Sequence, residues 1–192
     1  MTQIALFHSA LGVRAGVTDA ADRLRAAGHD VLVVDQYDGR TFDDQAEAGA
    51  FVDSIGFPEL MRRALAAVEG LDDGFLVVGF SNGAGMAEYV VTQRPVAGAV
   101  LLSGALPLAV LGSGPWPAGV PAQLHYGIDD PYRSQEWVDA LVGDVGAVAP
   151  IETFDYPCAG HLFTDPSLAE EYDAGSAELL WKRVVAFCDA AA

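Results

Sequence analysis

Gly74-Phe75-Leu76-Val77-Val78-Gly79-Phe80-Ser81-Asn82-Gly83 decides how the rest of the chain is read. It opens as a short, nearly continuous apolar run, the pattern of a strand buried on both faces of a parallel sheet. It closes as G-x-S-x-G and passes into Ala84-Gly85-Met86-Ala87-Glu88-Tyr89-Val90, which reads as a helix. Strand, sharp turn with serine at the apex, then helix is the context in which this motif presents a nucleophile. Such a turn brings the residues two positions either side of the serine into close approach. Glycine at 79 and 83 removes the side chains that would collide there.

Outward from this turn the chain alternates between strand and helix. Strands are expected at 3–7, 31–34, 74–79, 96–102, 122–126 and 151–156. Helices are expected at 17–27, with Thr18 as N-cap, and at 46–54, 59–68, 84–93, 136–142 and 176–188. Gly56-Phe57-Pro58 separates the second helix from the third. Alternation of this kind predicts a single α/β domain over 1–192, with a mostly parallel, doubly wound sheet and helices on both faces. The Gly/Pro-rich stretch 104–121 reads as a long loop that could wall a pocket with Leu106, Leu108 and Trp116.

The chain has 192 residues and a formal net charge of -17 at pH 7. That charge argues against a nucleic-acid partner and against anionic membrane surfaces. No apolar run is long enough to span a bilayer, and the N-terminus lacks a basic leader. Cys158 and Cys188 are too few for a disulfide framework, so reduced thiols and a cytoplasmic location are expected. The histidines show no metal-ligand spacing, and neither a phosphate-binding loop nor a dinucleotide fingerprint is present. No metal or cofactor is therefore expected.

Function in open parallel sheets gathers at the carboxyl ends of the strands. Those ends carry His8 to Gly12, Asp35, Ser81, Ser103, Gly127 to Asp130 and Asp155 to His161. A serine hydroxyl needs a base. His29 falls at the opposite end of the sheet, and His125 lies within a strand. His161, in the loop after the last strand, is the candidate base for Ser81. Asp130 is the first choice of acid, with Asp129 second and Asp155 third. The order serine, acid, histidine is that of the α/β-hydrolases. Oxyanion donors are expected from the backbone N–H of Asn82 and, after the first strand, of Ala10. His8, Ser9, Leu11, Trp116 and Phe163 are pocket candidates.

Taken together, His8-Ser9-Ala10-Leu11-Gly12, Asp35-Gln36-Tyr37, Gly79-Phe80-Ser81-Asn82-Gly83, Gly127-Ile128-Asp129-Asp130 and His161-Leu162-Phe163 followed by Tyr172-Asp173 resemble the dienelactone hydrolase family over nearly the whole chain. The resemblance implies a compact α/β-hydrolase without a lid domain, and it favours Asp130 as the fourth residue of G-x-x-D. Three positions depart from the family pattern. The family's namesake enzymes use a cysteine nucleophile, managed by a glutamate whose position here matches Ser9. They also hold a substrate carboxylate with an arginine four residues after the histidine, where this chain has Asp165. An aspartate repels a carboxylate, so a small or medium neutral ester or lactone is the expected substrate. A thioester, an acyl acceptor other than water, and a catalytically silent binding protein are the competing readings.

Overall fold

The computed structural model describes residues 2–191. In chain order the elements are β1 (Gln3–Phe7), α1 (Ala15–Ala26), β2 (Asp30–Val34), α2 (Gln45–Ile55), α3 (Phe57–Ala67), β3 (Phe75–Phe80) and α4 (Asn82–Gln93). There follow β4 (Val96–Leu102), α5 (Leu108–Leu111), β5 (Ala122–Gly127), α6 (Gln135–Gly146), β6 (Ile151–Tyr156) and α7 (Ala174–Ala190). The six strands form one sheet in the order β2-β1-β3-β4-β5-β6, and every pairing is parallel.

Every residue of β3 is buried, as its unbroken apolar run predicts, and its side chains divide between two cores. Phe75 and Val77 join Phe7, Ala99 and Leu101 beneath Leu60 of α3, Met86 and Val90 of α4 and Leu141 of α6. Leu76, Val78 and Phe80 join Ile4, Leu6 and Val100 beneath Leu24 of α1 and Leu180 and Val184 of α7. Each such side chain contributes about 1.5–3 kcal/mol by leaving water. Helices on both faces are the only way to bury a sheet that is apolar on both.

The chain leaves β1 toward β2 at one edge, then crosses back over β1 to place β3 on its other side. The winding reverses between β1 and β3, so the loops at their carboxyl ends diverge and leave a crevice. Phe7 pairs with Gly79, which brings the turn after β1 beside the Ser81 turn. Two strands further on, Gly127 pairs with Tyr156, bringing the Asp130 and His161 loops together.

The structure revises some local expectations. Helix α1 starts at Ala15 with Arg14 at its N-cap and no side-chain cap; the Thr18 hydroxyl instead donates to Ala15 O at 3.0 Å. Gly56, at φ 82°, is the break between α2 and α3, whereas Phe57 and Pro58 already belong to the first turn of α3, where proline forfeits no hydrogen bond. The 104–121 stretch contains the single turn α5, and no inserted domain covers the strand ends among the described residues. No described helix is long and apolar enough to cross a membrane.

Candidate active site

Ser81 sits between β3 and α4 at φ 52°, ψ −113°, a conformation that costs a non-glycine residue about 1–3 kcal/mol. The surroundings over-determine it. A Cβ on Gly79 would collide with Gly83 O, and one on Gly83 would collide with His8 O and lie 2.5 Å from Phe7 O. Ser81 N–H donates to Leu102 O at 2.7 Å, and Ala84 N–H donates to Ser81 O at 2.9 Å. The hydroxyl is thereby raised at the N-terminus of α4, where the helix dipole favours negative charge.

Ser81 Oγ lies 2.7 Å from His161 Nε2. On the other side of the ring, His161 Nδ1 lies 2.8 Å from Asp130 Oδ2 and 3.0 Å from Oδ1. A carboxylate there requires the proton on Nδ1, which leaves Nε2 free to accept from the serine. Asp130 is buried, and its Oδ1 also accepts the Tyr132 N–H at 2.8 Å. Tyr132 lies against the His161 ring at 4.7 Å between centroids. The loop of His161 is clamped by Glu171, whose Oε2 accepts Leu162 N–H at 2.6 Å.

The other acids are occupied or turned away. Asp129 is exposed, and Asp155 pairs with Arg133 at 2.7 Å. Asp35 accepts the N–H groups of Tyr37 and Gly39 and caps the turn after β2. His125 is buried against Tyr156 Oη and Gln123 Oε1 at 2.9 and 3.2 Å; burial, then the Arg183 charge, push its pKa down to about 3. His29 is buried at the other end of the sheet, 3.3 Å from Asp189.

A cavity of about 990 Å³ opens at Ser81, with Ala10, Asn82, Ser103, Tyr126 and His161 in its walls. Neither Ala10 N–H nor Asn82 N–H donates to another described residue, so both are free to serve a ligand. No lysine, arginine, aspartate or glutamate lines the cavity.

Five residues expected at the pocket do not line it. His8 is fully buried; its Nδ1–H donates to Ser9 O at 2.7 Å and its Nε2 accepts Gln36 N–H at 3.1 Å. Burial pushes its pKa down, and the neutral ring braces the turn that carries Ala10. Ser9 Oγ accepts Leu11 N–H at 3.2 Å, and Leu11 packs into the α1–α7 core, as does Phe163. Trp116 Nε1–H donates to Val120 O at 2.8 Å and folds its loop on itself. Of the 104–121 residues expected to wall a pocket, Leu106 lines this one; Leu108 and Trp116 face a separate surface cleft. Asp165 lies outside the cavity too, accepting from Ser167 at 2.6 Å beside Arg14. The neutrality of the site therefore comes from the lining itself.

Sequence reasoning missed the walls supplied by α2 and α3, among them Ala46, Gly49, Phe57 and Met61. It also missed Glu88 of α4. This carboxyl is fully buried, its two oxygens lie 3.1 and 3.3 Å from Leu106 N, and burial pushes its pKa well above 4.5. An acidic residue amid an apolar helix face was the available signal.

The chain matches none of the curated proteins by sequence. Among solved structures it superposes on a dienelactone hydrolase-like promiscuous phosphotriesterase from metagenomic libraries, with TM-score 0.80 and 22% identity over 98% of this chain and 86% of that one. Alpha/beta hydrolase domain-containing protein 10 from mouse gives TM-score 0.73 and 11% identity over 99% and 90%. Dienelactone hydrolase from Anabaena variabilis gives 0.63 and 15% over 96% and 84%. These likenesses fix the fold as that of the α/β-hydrolases. The sequence profile of the dienelactone hydrolase family matches residues 2–191, and the chain belongs to that family.

Proposed function

We propose that this protein is a serine hydrolase that cleaves a neutral carboxylic ester or lactone through an acyl-enzyme on Ser81. The observation that carries this reading is the continuous hydrogen-bonded line from Ser81 Oγ through His161 to Asp130, at the floor of an uncharged cavity. In the first half-reaction Ser81 Oγ attacks the acyl carbon while His161 Nε2 takes its proton. The carbonyl electron pair moves to oxygen, where the N–H groups of Ala10 and Asn82 hold the charge. Asp130 stabilises the imidazolium. As the ester C–O bond breaks, His161 returns the proton to the departing oxygen. Water then repeats the sequence on the acyl-enzyme, releasing the acid and restoring Ser81. The glutamate that manages a thiol in the family's namesake enzymes has no task beside a serine, consistent with Ser9 being spent on the Leu11 N–H.

The test is labelling with a fluorophosphonate, read by intact mass on the wild type and on Ser81→Ala. One adduct on the wild type, absent from Ser81→Ala, is the expected result. Folded wild type that takes no adduct and turns over no activated ester would overturn the proposal and leave a binding protein on this fold.

A further inference from the structure

The cavity at Ser81 has two chemically different sides, and the position of the base decides what each side would hold. In the reading above the departing oxygen takes its proton from His161 Nε2, so the alcohol half of an ester lies on the His161 side. Tyr126, Tyr132, Ser134 and Trp137 line the cavity there. They belong to β5, the loop after it and α6, in the crossover that leads to β6 and the His161 loop. That side is aromatic and hydroxyl-bearing, and Tyr132 and Trp137 are partly exposed at its mouth.

The other side is built from the β2–β3 crossover and the loop after β4. Ala46 and Gly49 of α2, Phe57 and Met61 of α3, and Leu106 and Leu111 line it. All six are apolar. Leu106 lies close over α4 because Gly85 has no side chain: a Cβ there would stand 2.6 Å from Leu106 Cδ1, with Phe57 Cε1 at 3.7 Å. Leu106 is held in turn by Glu88. A Cβ on Gly49 would meet no atom within 4 Å, so this arm carries free space beside a helix that would itself favour a larger residue.

Resting on the proposed hydrolase reading, the geometry points to esters of medium-chain, unbranched apolar acids as the substrates, with the acyl chain in the α2–α3–Leu106 arm and the alcohol against Tyr132 and Trp137. Acetyl esters leave the arm empty. A cavity of about 990 Å³ lies at the upper end of the range for drug-sized ligands and accommodates an eight-carbon chain together with an aromatic alcohol. Each methylene that leaves water favours binding by about fourfold. If all six added methylenes are buried and the interaction is kept in the transition state, kcat/KM rises by about 10³–10⁴-fold from acetyl to octanoyl.

The experiment is a matrix of nitrophenyl and alkyl esters, with the acyl chain varied from two to twelve carbons, on wild type, Gly49→Leu and Trp137→Ala. Expected are a maximum at medium chain length in the wild type and a shift of that maximum toward acetyl in Gly49→Leu. Trp137→Ala is expected to change the preference among alcohols while the acyl-length optimum stays in place. A wild-type profile that is flat or falls with acyl length, in protein that takes the fluorophosphonate adduct, overturns the acyl arm and leaves the hydrolase reading standing. An unchanged optimum in Gly49→Leu overturns it as well. Absence of both adduct and turnover is the separate failure of the hydrolase reading.

Discussion

Replacing Glu88 by glutamine tests whether a buried acid beneath the cavity wall limits the stability of this protein at high pH. Glu88 has no cation within ion-pair distance among the described residues and accepts the Leu106 N–H with its carboxyl oxygens at 3.1 and 3.3 Å. Burial is the first cause of its raised pKa, opposed by that one backbone hydrogen bond. Its folded-state value thus lies above the unfolded value, and the folded protein keeps a proton that the unfolded chain has lost. The associated stability is fully present below pH 4.5 and is lost as pH rises through the folded value. While one proton separates the two states, the slope is about 1.4 kcal/mol per pH unit. For a chain of this size that corresponds to about 3–6 °C of Tm per unit. Glu88→Gln keeps the volume and an acceptor for Leu106 and removes the ionisation. Thermal unfolding of both proteins by circular dichroism, in half-unit steps from pH 5 to 9 at fixed ionic strength, isolates the effect, because titrations common to both cancel in the difference. The Tm of Glu88→Gln relative to wild type should climb with pH and level off once the wild-type carboxyl ionises. A constant offset across the range would refute the reasoning.

Two further outcomes follow from the same geometry. Asp130→Asn puts an amide beside His161 Nδ1 and favours the tautomer that cannot accept from Ser81; kcat for an activated ester should fall by about 10³–10⁴-fold, with far-UV circular dichroism unchanged. His125, whose folded pKa of about 3 lies below the unfolded 6.5, contributes stability that is present above pH 6.5 and lost as pH falls toward 3. His125→Asn should therefore show a shallower loss of Tm between pH 6.5 and 4 than wild type, and parallel curves would contradict this.

The elements that carry a local signature were readable from sequence. The apolar run of β3 and the glycines flanking Ser81 identify the strand and its turn, and the alternation on either side implies the parallel sheet. The rim holding Ser81, Asp130 and His161 follows from strand ends alone. Asp130 and Asp129 were separable only by the family motif, because two adjacent carboxylates differ by which one the turn buries. The cavity walls were not readable. His8, Ser9 and Leu11 adjoin Ala10 in sequence, yet their side chains brace the turn after β1 or enter the core, and only Ala10 between them faces the cavity. Ala46, Gly49, Phe57 and Met61 reach Ser81 through the reversal of winding between β1 and β3, a long-range arrangement that no local pattern encodes. The trade of an aspartate for an arginine after His161 suggested a neutral site, but Asp165 turned to Arg14.

The uncharged lining of the cavity also bears on how a turnover would end. In the proposed reaction a neutral ester enters and a carboxylate forms against walls that carry no cation, inside a protein of net charge -17. No lysine or arginine side chain there retains the newly formed anion, and the surrounding field drives it outward. Accumulating acid should therefore compete poorly with fresh substrate, and adding salt, which screens that field, should strengthen the competition.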